Sequence, residues 1–90
     1  MKFIREEFDR WTCGPYTISK YDDGYYAYVY FKYKSGAGRD SKRLHGTQPR
    51  QIPHTLDDAV RLCFEHSLQP VPDGRLLINA PSMNIQCIET

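Results

Sequence analysis

Cys63 and His66 stand three residues apart in a stretch with helical patterning, which sets a thiol and an imidazole on one side of a helix. A nucleophile and base of this kind need a thiolate exposed in a cleft and a third group to orient the imidazole. Two zinc ligands need partners at close, paired spacing. The remaining candidates, Cys13, His45, His54 and Cys87, are scattered, and no CxxC occurs. Cys63 also falls in an apolar stripe, where a free cysteine behaves as a small hydrophobe. Adjacent carboxylates occur at Glu6-Glu7, Asp22-Asp23 and Asp57-Asp58, positions that helix starts and a turn account for. Ser35-Gly36-Ala37-Gly38 lacks the strand-to-helix setting of a nucleotide loop, and HExxH and GxSxG are absent. The expectation is a chain that is not an enzyme and uses no cofactor or metal.

The residues suited to recognition are of another kind. Seven tyrosines, four phenylalanines and one tryptophan occur in 90 residues. In a strand from Tyr25 to Tyr33, Tyr26, Tyr28, Tyr30 and Lys32 point one way and Ala27, Val29 and Phe31 the other. With one helix to cover one sheet face, the small and branched set faces the core and the tyrosines line the opposite face. Tyrosine joins a large apolar ring to a hydroxyl on few rotatable bonds, which suits binding hot spots. Terminal segments holding Phe3, Phe8, Trp11, Ile78 and Ile85 are available to cover part of that face. The charge is uneven: residues 1–31 carry −1, residues 32–50 carry +5 and residues 51–90 carry −3. Such a basic middle suits a polyanion or an acidic protein face. Lys32 and Lys34 also blunt a strand edge, while Arg39, Lys42 and Arg43 cluster beside a flexible loop as candidate contacts.

The elements that must position these residues follow from pattern. Ile4, Phe8 and Trp11 fall at i, i+4 and i+7, predicting a short N-terminal amphipathic helix that ends before Gly14-Pro15. Tyr16 to Tyr21 and Tyr25 to Tyr33 alternate around Asp22-Asp23-Gly24, predicting a β-hairpin. Asp40 to Leu44 returns as a third strand. Thr55 with Asp58 three residues on is a helix N-cap with an acidic first turn. Leu56, Ala59, Val60, Cys63, Phe64 and Ser67 form the predicted buried face, and Pro70 stops the helix. Leu76 to Ala80 and Met83 to Ile88 are short apolar stretches, read as a C-terminal strand or hairpin. The fold expected is α+β, a three-stranded antiparallel sheet packed on one main helix. It forms a single domain over residues 1–90, with a ββ-β-α core at 16–68 and an extension at 69–90.

No apolar run approaches the ~20 residues that span a bilayer, and charge interrupts the N-terminus too early for an export signal. The three cysteines then read as reduced thiols, and the expected setting is the cytoplasm.

Tyr16-x-Ile18, Gly24-Tyr25-x-Ala27, Leu44-x-Gly46 and Thr55-Leu56-x-x-Ala59 resemble the three-strand-plus-helix pattern of AP2-type and integrase arm-binding domains. That resemblance implies a sheet face placed in the DNA major groove, although the family's groove-facing arginines and tryptophans are mostly tyrosine here. In style, a short aromatic-rich chain with such a core is similar to phage and prophage accessory proteins, including anti-CRISPRs. This likeness implies an inhibitor that occludes a host nucleic-acid-handling protein or ribonucleoprotein. Near-neutral overall charge favours the protein partner, with DNA as the alternative. Tyr26, Tyr28, Tyr30, Lys32, Arg39, Lys42 and Arg43 are the expected contacts. A chelator together with a reductant is expected to leave the thermal midpoint within about 3 °C, because losing a structural zinc or disulfide costs several kcal/mol. Differential scanning fluorimetry checks it.

Overall fold

A computed structural model describes residues 1–48 and 51–81. Two-residue turns at Phe8-Asp9, Gly14-Pro15 and Asp22-Asp23 fold the first third of the chain into an antiparallel meander. Its strands are β1 (Ile4–Glu7), β2 (Arg10–Cys13), β3 (Tyr16–Tyr21) and β4 (Gly24–Tyr33). A looser turn leads to β5 (Arg39–Leu44), a long connection to helix α1 (Leu56–Ser67), and a last link to β6 (Arg75–Leu77). The sheet runs β1-β2-β3-β4-β5, and β6 also pairs with β4.

Strand β4 is the trunk of this sheet. On one side it pairs with β5 from Ala27↔Leu44 to Lys32↔Arg39. On the other, β3 covers its first half, ending at Tyr16↔Val29, and β6 takes Phe31↔Leu77 to Tyr33↔Arg75. β3 and β6 therefore lie in one lane. The lane is stitched where they meet, by Tyr30 N–H to the Pro15 carbonyl (2.8 Å), Ile78 N–H to Tyr30 (3.2 Å) and Ala80 N–H to Gly14 (2.6 Å).

One face of the sheet carries Tyr16, Ile18, Ala27, Val29 and Leu44, and α1 closes over them with Ala59 and Cys63. Ile18, Ala27, Ala59 and Cys63 are fully enclosed. Small side chains at 27 and 59 let helix and sheet backbones approach closely. The helix starts as its residues require: Thr55 Oγ1 accepts from Asp58 N–H at 3.1 Å, and Asp57 and Asp58 sit in the first turn.

Several expectations are corrected. The sheet has six strands rather than three. The predicted N-terminal helix is the β1–β2 hairpin, with Arg5↔Trp11 and Ile4↔Thr12 in register. The spacing of Ile4, Phe8 and Trp11 misleads because Phe8 occupies the turn and is 79% exposed. Pairing wins here because an unpaired β3 edge would leave a row of backbone donors and acceptors unmet. The predicted helix face is only partly right: Leu56, Ala59, Val60 and Cys63 pack on the core, but Phe64 is 48% exposed and Ser67 is exposed, and Leu62 and His66 stand half-buried instead. The C-terminal strand is present but short, while the stretch from Met83 to Ile88 lies outside the described residues.

Gly24 opens β4 at φ +142°, and a Cβ there would lie 2.5 Å from the Pro53 carbonyl oxygen. The same carbonyl accepts Tyr25 N–H at 2.8 Å, anchoring the β5–α1 connection to the hairpin end. Gly24→Ala is expected to cost about 2 kcal/mol or more through strain and overpacking. Phe64→Ala is expected to cost less than about 1 kcal/mol, as a partly exposed site. Urea titration of both variants measures the contrast.

Candidate functional site

The sheet face turned away from α1 is built by the alternation of β4. Tyr26, Tyr28 and Tyr30 stand half-buried in a row, followed by exposed Lys32. Their cross-strand neighbours share the face: Ser19 beside Tyr26, Thr17 and Arg43 on either side of Tyr28, Ser41 beside Tyr30, and Arg39 beside Lys32. Six of the seven predicted contacts are thereby brought together. Lys42 is not among them. It pairs with Val29, so its side chain leaves β5 on the α1 side, near His66. Sequence proximity made Arg39, Lys42 and Arg43 look like one cluster, and the two-residue strand period divides them.

The row is held rigidly at one end. Tyr26 donates its hydroxyl proton to Asp23 Oδ2 at 2.7 Å, and its ring meets Tyr21 edge-on at 4.9 Å. The Arg43 guanidinium lies 5.2 Å from the Tyr26 ring centroid, within cation–π range. The hydrogen bond to Asp23 raises the Tyr26 pKa above the ordinary tyrosine value, with smaller contributions from burial and the Asp23 charge. Burial raises that of Tyr28. Both phenols are therefore neutral at physiological pH, acting as hydrogen-bonding groups rather than phenolates.

Two shallow clefts flank Tyr28 along the row. One is lined by Lys20, Tyr21, Asp22, Asp23, Tyr26 and Tyr28. The other lies over Tyr30 and Ser41, between Arg39 and the segment Ile78–Pro81. That segment is the only predicted covering that reaches the face among the described residues. Phe3 and Trp11 pack on the core side instead, and Ile85 lies outside the described residues. Arg10 Nη2 reaches the Pro81 carbonyl at 2.5 Å. On the same face the Arg10 Nε and Thr17 Oγ1 are buried without a hydrogen-bond partner among the described residues. Leaving such groups unmet costs about 1–3 kcal/mol each. Sequence reasoning missed Thr17, Arg10 and Tyr21, and the only signal for them was strand parity across the β2–β3–β4 register.

The opposite face explains the Cys63–His66 spacing. Burial pushes the Cys63 thiol up to about 12, with a further contribution from Cys13, so no thiolate is available near neutrality. His66 Nδ1 is hydrogen-bonded to the buried Tyr16 hydroxyl at 3.0 Å, tying helix to sheet. Among the described residues no group of three His, Cys, Asp or Glu side chains is arranged to hold a metal. Two of the three carboxylate pairs have a structural partner, Glu6 accepting from Thr12 Oγ1 at 2.9 Å and Asp23 from Tyr26, and Asp57-Asp58 forms the acidic first turn of α1. No helix among the described residues is long and apolar enough to cross a membrane. No family model, curated protein or solved structure matches this chain.

Burial, and then the nearby Lys42 charge, lower the His66 pKa below its ordinary value. As pH falls through ~6.5, the usual histidine value, the unfolded chain takes up a proton that the folded chain resists. Stability is therefore expected to be complete above that pH and to decline below it, toward the lowered folded value. Thermal melts between pH 5 and 7.5 should show this slope, and His66→Gln should flatten it.

Proposed function

We propose that this chain is a non-catalytic binding protein that docks a protein partner on the tyrosine face of its sheet. In the manner of the small phage inhibitors it resembles, it acts in the cytoplasm by covering a surface its partner needs for handling nucleic acid. The observation that carries the binding surface is the half-exposed row of Tyr26, Tyr28 and Tyr30, with Tyr26 fixed by Asp23, Tyr21 and Arg43, on the face turned away from α1. Rings held in place lose little entropy on binding, and the clefts beside Tyr28 give a partner's side chains somewhere to enter.

Charge favours a protein over a nucleic acid. Arg39, Arg43 and Lys32 border the row, yet Asp22 and Asp23 line its other cleft, where a phosphate backbone would meet carboxylates. A protein partner with mixed charge fits both ends. The AP2-like reading draws on the same face but loses Lys42, which lies behind the sheet.

Affinity capture from a lysate of the native host, with and without nuclease, tests this reading. A protein retained after nuclease, and lost with the tyrosine variants, supports it. Tyr28→Ala and Tyr30→Ala are each expected to weaken that complex by about 1–3 kcal/mol. The Arg39→Ala, Arg43→Ala double variant should mainly slow association, and Arg61→Ala on the exposed helix should change nothing. Capture that depends on nucleic acid, with steep salt dependence, would point to DNA instead.

A further inference from the structure

Strand β5 ends the sheet: no described strand pairs its outer side. The direction of its backbone groups follows from the ladder. Tyr33 N–H bonds to the Gly38 carbonyl, whereas Tyr30 uses its N–H and carbonyl on the β3–β6 side. Bonding to β5 therefore falls on the pairs Phe31↔Asp40 and Val29↔Lys42, and the N–H and C=O of Arg39 and Ser41 point away from β4. Asp40 guards this edge: its Oδ1 accepts from Ser41 N–H at 2.7 Å while Tyr33 Oη donates to Oδ2 at 3.3 Å. A carboxylate folded over an outward amide is a plug against strand addition.

The surroundings of the edge are those of a strand-accepting site. Clefts lie beside β5 on both faces, one at Arg39, Asp40 and Ser41, the other at Lys42, Leu44 and His66. A strand laid along β5 would send alternate side chains toward each of them, which is how added strands gain specificity. The stretch from residue 32 to residue 50 carries +5. We propose that the outer edge of β5 takes up an extended acidic segment of a protein partner as a seventh strand, with Asp40 as the group it displaces. The proposal rests on the reading of the chain as a protein binder and adds the chemistry of what is bound.

The test uses the whole chain and a fluorescein-labelled ten-residue peptide alternating Glu with Val and Thr, followed by fluorescence anisotropy. A second peptide of the same sequence is N-methylated at alternate residues, on either edge in turn, which removes main-chain donors and keeps the charge. Saturable binding of the first peptide, and at least tenfold weaker binding of one of the methylated forms, is the expected result. Ser41→Pro, whose missing N–H points away from β4, should weaken binding about tenfold with the circular dichroism spectrum unchanged. Asp40→Ala should tighten it several-fold, and more than Asp40→Asn, which removes the charge but keeps an oxygen over Ser41 N–H. Equal binding of all the methylated forms would show charge attraction alone and overturn the proposal, as would no binding or indifference to Ser41→Pro in a folded variant. Val71→Ser, at an exposed and uncharged position in the link between α1 and β6, should leave peptide affinity unchanged, and absent peptide binding beside intact tyrosine-dependent capture of a protein would overturn the edge proposal alone.

Discussion

The ten-residue strand β4 is the constraint from which the rest of the structure follows. A strand paired on both sides has its backbone satisfied, so its two rows of side chains decide what each face becomes. Tyr25, Ala27, Val29 and Phe31 face α1, and the small residue at 27 lets the helix close down onto the sheet. The other row has no helix to meet. A 12-residue helix covers one face of a six-stranded sheet, and the tyrosines remain on the side left over.

Much of this was legible. Alternating strand formers around Asp22-Asp23-Gly24 define the β3–β4 hairpin, because aromatic and branched residues at period two have few other uses. Thr55 and Asp58 locate the helix start through a local hydrogen bond that needs no tertiary information. The N-terminal hairpin was hidden because a four-residue strand gives too short a run for period two to outweigh a chance helical spacing. Thr12 adds to this. It is buried against the Glu6 carboxylate and Thr17, so its polarity gives no sign that it lies inside. One end of the helix face differs for a similar reason: Phe64 looks like core, but the half-buried position one turn from Cys63 belongs to His66, whose Nδ1 is met by the Tyr16 hydroxyl. Lys42 shows the limit for sites. Nearness in sequence says little about shared faces until the parity of the strand is known.

The two faces also divide the chemistry. Toward the core, titratable groups are silenced, with Cys63 held as a thiol and His66 as a neutral ring bonded to Tyr16. On the other face Tyr26 and Tyr28 keep neutral hydroxyls, while Thr17 Oγ1 and Arg10 Nε are buried without a hydrogen-bond partner among the described residues. The titratable thiol and imidazole are thus shut away on one face, and the row of tyrosines stands on the other.

The shared lane of β3 and β6 bears on the order in which the fold assembles. The meander from β1 to β4 joins neighbours in sequence and closes through short loops, which is fast. The second half of the β3–β6 lane stays vacant until residues 75–80 arrive, across a separation of more than forty residues from Phe31 and more than sixty from Gly14. Until then Phe31 and that half of one β4 edge stay uncovered, a transient opening for mispairing with another chain. Closing that slot is the longest-range strand pairing of the described sheet, so the smallest strand carries the largest loop-closure cost.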